Sequence, residues 1–304
     1  MASARSDLVP SLALAVGAAF WGLYWIPVRG IELAGVPAYW TGPVLFAAST
    51  LLLLPLAVMR LGNYLRHWRS ILLPGLLAGS AFALYIASIN LTDVVRAILL
   101  FYMSPLWSTL LGILVLRERL TPNRVLALVL AFGGLYIVLV VESGLPVPRN
   151  TGDWFALLSG FCWSVASVKL FQDGARLVLE KVVAFVVFAL FASVLLLLWQ
   201  QGDLGGMPDT ASLRAAWYWI ALIALAMLPI TWLTIWPATV LSPGRVGMLL
   251  LTEVLVGVAS AAVLLDEPFG TRELTGSILI VSAGLVEVMR QQKIGNSGIV
   301  SDRA

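Results

Sequence analysis

The sequence predicts an all-α integral membrane protein in which ten transmembrane helices form a five-plus-five inverted-topology repeat. Three observations predict it. Of 304 residues, 60% are hydrophobic and 12% charged, more apolar surface than a soluble domain of this length can bury. The apolar residues fall into ten continuous runs, each close to the roughly 20 residues that a helix needs to cross a bilayer, and the runs lack the two-residue alternation of a β-barrel. Finally, the stretch Arg96–Leu139 recurs weakly as Arg245–Met289, at an offset of 149 rising to 150 after the turn, and Phe20-Trp21-Gly22 aligns with Cys162-Trp163-Ser164 at an offset of 142. An odd number of spans separates each segment from its counterpart, so the second copy enters the membrane from the opposite side.

The runs lie at 9–29, 37–59, 70–90, 94–116 and 122–141, then at 153–171, 179–200, 215–240, 244–265 and 271–289. Residues 1–145 form the first repeat, 146–291 the second, and 292–304 a polar tail expected to be disordered. The connection Glu142–Asp153, with Gly144, Pro146, Pro148 and Gly152, divides the repeats. Met1–Pro10 lacks a strongly positive segment and runs into a full-length apolar stretch, which reads as an uncleaved first helix.

Lysine and arginine in short loops stay on the cytoplasmic side. With the N-terminus inside, 14 of the 19 fall there, and Arg29, Arg96, Arg149, Arg214 and Arg272 are left to the five outer loops. Both termini are therefore expected in the cytoplasm. The net charge of +3 follows from this retention bias and does not indicate nucleic-acid binding. The single cysteine, Cys162, excludes an internal disulfide and a cysteine-ligated metal site.

Spans four and eight are the expected bent, cavity-lining helices. Pro105 removes a donor and frees the carbonyl of Phe101, while Pro229 and Pro237 free those of Leu225 and Leu233. Such breaks persist in a membrane only where protein or water satisfies them, and simple packing is the competing role for each proline. Glu253 is the one carboxylate in the middle of a predicted span, eight residues beyond Arg245 and about 12 Å along a helix. Hydrocarbon disfavours its charge, which makes it a functional candidate. It could hold a substrate ammonium or take up a coupling proton; the alternative is a protonated side chain packed between helices. Ser104 holds the matching place in the first repeat. Trp21, Tyr85, Tyr102, Trp163 and Trp236 bring rings with polar edges into the spans, and aromatic walls with a few polar groups suit a flat or apolar small molecule. Core packing competes for each of them. Gly22, Ser104, Ser164 and Ser167 are small enough to let the halves move, and Gly75 and Gly79 form a GxxxG that permits close helix approach.

Several fragments, in order, resemble the EamA branch of the drug/metabolite transporter superfamily over nearly the whole chain. They are Gly17-Ala18-Ala19-Phe20-Trp21-Gly22, Ser104-Pro105, Leu116-Arg117-Glu118-Arg119-Leu120-Thr121 with Gly133-Gly134, and Leu265-Asp266-Glu267-Pro268 with Gly284. The resemblance implies a ten-helix inverted repeat working by alternating access. Within the family, Tyr102-Met103-Ser104-Pro105 with Trp163 is similar to exporters of amino acids, aromatic ones included.

On this reading the chain exports neutral and aromatic amino acids across a bacterial inner membrane. Trp21, Tyr85, Tyr102, Ser104, Trp163, Ser167, Trp236 and Glu253 bind substrate, and Pro105, Pro229 and Pro237 are conformational. The expected partners are the substrate, the lipid bilayer and protons taken up at Glu253. No cofactor is expected, and the chain is a monomer or weak homodimer. A multidrug or other metabolite exporter is the alternative within the superfamily. An intramembrane enzyme fits poorly, because the only histidine, His67, falls in the loop after span two and one buried carboxylate lacks the second group that acid/base hydrolysis uses.

Overall fold

A computed structural model describes residues 7–92, 94–143, 148–199, 206–264, 270–271 and 274–286. Every regular element among them is helical. The first half contains α1 (Leu8–Gly22), α2 (Trp25–Leu33), α3 (Ala38–Met59), α4 (Leu61–Leu91), α5 (Val94–Phe101), α6 (Ser104–Leu116) and α7 (Pro122–Ser143). The second contains α8 (Thr151–Asp173), α9 (Val178–Trp199), α10 (Thr210–Ala215), α11 (Trp217–Ala238), α12 (Pro243–Leu250) and α13 (Thr252–Leu264). A last helix, α14 (Leu274–Val286), follows. Among the described residues eight stretches are long and apolar enough to cross a membrane, and two shorter apolar helices, Pro122–Ile137 and Leu274–Val286, stand where spans five and ten are expected. The Leu265-Asp266-Glu267-Pro268 turn, Pro146 of the linker, Gly202 and Gly205 of the outer loop and the 292–304 tail lie outside the described residues.

Three of the eight stretches are broken within the apolar region. The first parts at Leu23–Tyr24, because Pro27 has no N–H to offer the Leu23 carbonyl. The second parts at Tyr102–Met103, and Pro105 falls in the first turn of the new helix. The third parts at Leu251 with no proline nearby. By contrast α11 runs through Pro229 without interruption and carries Pro237 in its last turn. The sequence places His67 in a loop, but α4 starts directly after Arg60 and the residue sits at a kink inside it (φ −125°, ψ 29°).

The packing of α4 between α8 and α9 forms the middle of the molecule. A Cβ on Gly79 would lie 2.5 Å from the Phe185 oxygen and 2.6 Å from the Ala189 nitrogen, and one on Gly75 would lie 2.6 Å from the Ala184 Cβ. The GxxxG therefore brings two backbones of one chain together, which replaces the hydrophobic drive that lipid does not supply.

Ion pairs tie the helix starts. Arg96 Nη2 lies 2.6 Å from Asp153 Oδ2, and the same buried carboxylate accepts from Thr92 Oγ1 at 2.6 Å and from the Arg149 backbone N–H at 2.9 Å. Arg245 Nη1 lies 3.4 Å from Asp7 Oδ2, and the buried Arg124 pairs with Glu118. Removing one partner of a buried, multiply bonded pair costs about 3–5 kcal/mol. Asp153→Ala is accordingly expected to lower the thermal unfolding midpoint of the purified protein well below that of the wild type; an unchanged midpoint would show that the network adds nothing to stability.

Candidate central cavity

A cavity with about 500 Å³ of unfilled space, its mouth included, opens where these helices meet. It is lined by Trp21 from α1; Ala78, Ala81, Phe82 and Tyr85 from α4; Phe101 from α5; Trp163 from α8; Phe185 from α9; Thr231, Thr234 and Ile235 from α11; Leu250 from α12; and Glu253 from α13.

Helices α1 and α13 cross closely. A Cβ on Gly22 would lie 2.5 Å from the Glu253 carbonyl oxygen, so only glycine lets α1 approach this far, and Trp21 immediately before it lines the same cavity as Glu253. Trp21 Nε1 donates to Thr234 Oγ1 at 2.9 Å, and Thr234 donates to the Ile230 carbonyl at 3.0 Å. That chain fixes the ring against α11. Phe82 lies 4.6 Å from Trp21 and 5.9 Å from Phe185, and Tyr85 lies 4.7 Å from Phe101, all between ring centroids in tilted geometry. Offset and tilted pairs are the favoured aromatic arrangement.

Polar groups are few. Glu253 occupies the first turn of α13, where the free N–H groups of the helix start favour a negative charge. Trp163 Nε1 and Thr231 Oγ1 are buried and have no hydrogen-bond partner among the described residues. Unpaired buried donors are costly, and these two line the same cavity as the carboxylate. Among the described residues the lining contains no basic side chain.

Of the residues singled out from sequence, Trp21, Tyr85, Trp163 and Glu253 line the cavity. Tyr102 stands directly behind: its hydroxyl donates to the Leu250 carbonyl at 3.3 Å, the group freed by the break at Leu251, and it also reaches the Glu253 carboxylate. Ser104 is buried outside the lining, its hydroxyl without a partner among the described residues and its carbonyl accepting from Ser164 Oγ at 3.0 Å. Ser167 is buried and bonds back to the Trp163 carbonyl at 3.0 Å. Trp236 packs on the core away from the lining. Pro105 sits against Gly247, where an added Cβ would come within 2.9 Å of it. Tyr102→Phe is expected to leave the Leu250 carbonyl without this donor and to lower the thermal unfolding midpoint, since an unpaired buried polar group costs about 1–3 kcal/mol; the melting curve of the purified variant measures it.

The other lining residues went unnoticed in the sequence although a signal existed. Ala78, Ala81, Phe82 and Tyr85 follow the i, i+3, i+4, i+7 spacing of one helix face, and Thr231, Thr234 and Ile235 follow i, i+3, i+4. Two hydroxyls on one face of an otherwise apolar span mark the side turned away from lipid.

Comparison with known proteins agrees with this architecture. Residues 9–140 match the EamA-like transporter family. A stretch of 95 residues is 36% identical to an uncharacterized transporter of Vibrio cholerae serotype O1, covering 27% of this chain and about a third (32%) of that protein's length. A solved crystal structure described only as that of a protein superposes with a TM-score of 0.68 at 18% identity, over 95% of this chain and 99% of the other; at that identity the likeness concerns the fold alone. The chain is thus a multi-pass α-helical membrane protein whose residues 9–140 match the EamA-like transporter family.

Proposed function

We propose that the chain is a secondary transporter that exports neutral and aromatic amino acids across a bacterial inner membrane by alternating access, with both termini cytoplasmic. The observation that carries this reading is the cavity itself: aromatic walls, one carboxylate, and two unpaired donors in reach of one bound molecule. Glu253 holds the substrate ammonium, and Trp163 N–H and Thr231 O–H are left to meet its carboxylate. The same carboxylate can exchange a proton for the substrate.

A ten-helix inverted repeat is supported by where the helices break. The helices before the breaks, Val94–Phe101 and Pro243–Leu250, have identical lengths and stand 149 residues apart at both ends. Their ion pairs cross over in matching fashion: Arg96 reaches the start of α8, and Arg245, its counterpart at the same offset, reaches the start of α1.

One observation favours a second reading. Because no basic side chain among the described residues lines the cavity, an organic cation without a carboxylate leaves fewer demands unmet than a zwitterion, as a multidrug exporter would require. Uptake into proteoliposomes decides between them. Saturable uptake of labelled aromatic and neutral amino acids, competed by unlabelled ones, supports the first; uptake confined to cationic amines moves the second to the front; and acceleration by a pH gradient identifies the proton as the coupling ion.

A further inference from the structure

The stretch Leu61–Arg69 takes no part in the cavity and has two unlike faces. Asn63, Tyr64 and His67 turn inward. Asn63 Nδ2 donates to Glu180 Oε1 at 2.6 Å, the Tyr64 hydroxyl donates to the Glu180 carbonyl at 3.2 Å, and His67 Nε2 lies 3.0 Å from Arg176 Nη2. The outer face carries Leu61, Leu65 and Trp68, spaced i, i+4, i+7 and 53%, 72% and 52% exposed. Nothing among the described residues covers them. Arg66 and Arg69 are exposed beside this stripe, and the Arg69 guanidinium lies 5.2 Å from the centre of the Trp68 ring. The buried carboxylate of this corner, Glu180, is already held by Arg60 and Asn63, so neither exposed arginine has an acidic partner among the described residues.

The kink at His67 separates this turn from the span that follows. An apolar stripe flanked by arginines, joined to the end of a spanning helix, has the composition of a segment lying in the plane of the membrane interface. Tryptophan rings collect at that depth, and arginine reaches outward from it along its apolar stem.

We propose that Leu61–Arg69 is a docking surface for anionic phospholipid. Leu61, Leu65 and Trp68 sink into the headgroup and acyl boundary, and Arg66 and Arg69 take the phosphate oxygens, which the guanidinium fork bonds in pairs. Each arginine strengthens attachment to an anionic surface roughly fivefold. Because the inner face of the same turn is bonded to Glu180 in the first turn of α9, a lipid fastened here also fastens α4 to α9.

The test follows the thermal unfolding midpoint of the full chain, purified in neutral detergent, on addition of phosphatidylglycerol, phosphatidylcholine with the same acyl chains, or inorganic phosphate. Phosphatidylglycerol is expected to raise the midpoint while the other two leave it nearly unchanged. The double variant Arg66→Gln with Arg69→Gln is expected to start at the wild-type midpoint and lose at least about half of the increment, since two arginines supply the attraction. An equal rise with both lipids, or an undiminished increment in the variant, overturns the proposal. A rise with inorganic phosphate alone also overturns it, because the site would then take a free anion and no lipid. Should the variant fail to fold, native mass spectrometry of the wild type decides: adducts preferring phosphatidylglycerol uphold the surface, and adducts without preference reject it.

Discussion

Glu253→Gln is expected to abolish saturable uptake at limiting substrate, a loss of at least roughly tenfold. Glu253 is the one acidic side chain among the described residues that line the cavity, and the surrounding surface is aromatic or aliphatic apart from two threonines, a tyrosine hydroxyl and indole N–H groups. A cationic ligand group brought there loses its water and finds one compensating charge. A hydrogen bond to a charged partner contributes about 1.5–3 kcal/mol net, which converts to the tenfold figure or more. Glutamine keeps the shape and the contact with Tyr102 while removing the charge, so the variant isolates electrostatics from packing. Binding measured by titration separates the two roles proposed for this residue. If the variant binds substrate as the wild type does but no longer responds to a pH gradient, Glu253 carries the proton only; if it binds and transports normally under both conditions, the cavity is not the site.

Gly79→Leu is expected to prevent folding. A Cβ at this position meets backbone atoms of Phe185, Phe188 and Ala189 at 2.5–3.0 Å, and backbone atoms of a spanning helix cannot step aside as a side-chain tip can. Gly79→Ala already forces α4 away from α9, at a cost of about 1–3 kcal/mol. The three further carbons of leucine have no room. Gly133→Ala supplies the contrast, because nothing lies within 4 Å of the added carbon and replacing a helical glycine gains up to about 1 kcal/mol. The yield and thermal midpoint of both variants, purified side by side, give the comparison. Equal midpoints would mean that α4 and α9 are not in contact in the membrane.

Long apolar runs leave little choice of secondary structure in lipid, so several spans were readable to within about two residues: 37–59 appears as Ala38–Met59 and 153–171 within Thr151–Asp173, whereas 70–90 is the end of a longer helix that begins at Leu61. The break at Tyr102–Met103 was readable through Pro105. Its partner at Leu251 was not, since a tertiary contact, the Tyr102 hydroxyl on the Leu250 carbonyl, satisfies the freed group there without a proline. Pro229 leaves no break in α11, since one missing hydrogen bond in an otherwise continuous helix does not interrupt it. Within the cavity, charge and indole edges drew attention to Glu253, Trp21 and Trp163. Phe82 and Phe185 look like any phenylalanine in an apolar run, and only the crossing of α4, α9 and α11 turns them inward.

The carboxylate belongs to one half of the molecule alone, because the residue 149 positions before Glu253 is Ser104, buried outside the lining. If Glu253 clasps the substrate as proposed, the passenger travels in the reference frame of α13, and the first half slides past it like a sleeve over a fixed pin. Distance changes during turnover should then be small between the passenger and α13 and large between the passenger and Phe101, so a spin label on each side would record a lopsided stroke from an architecture whose breaks fall at matching places.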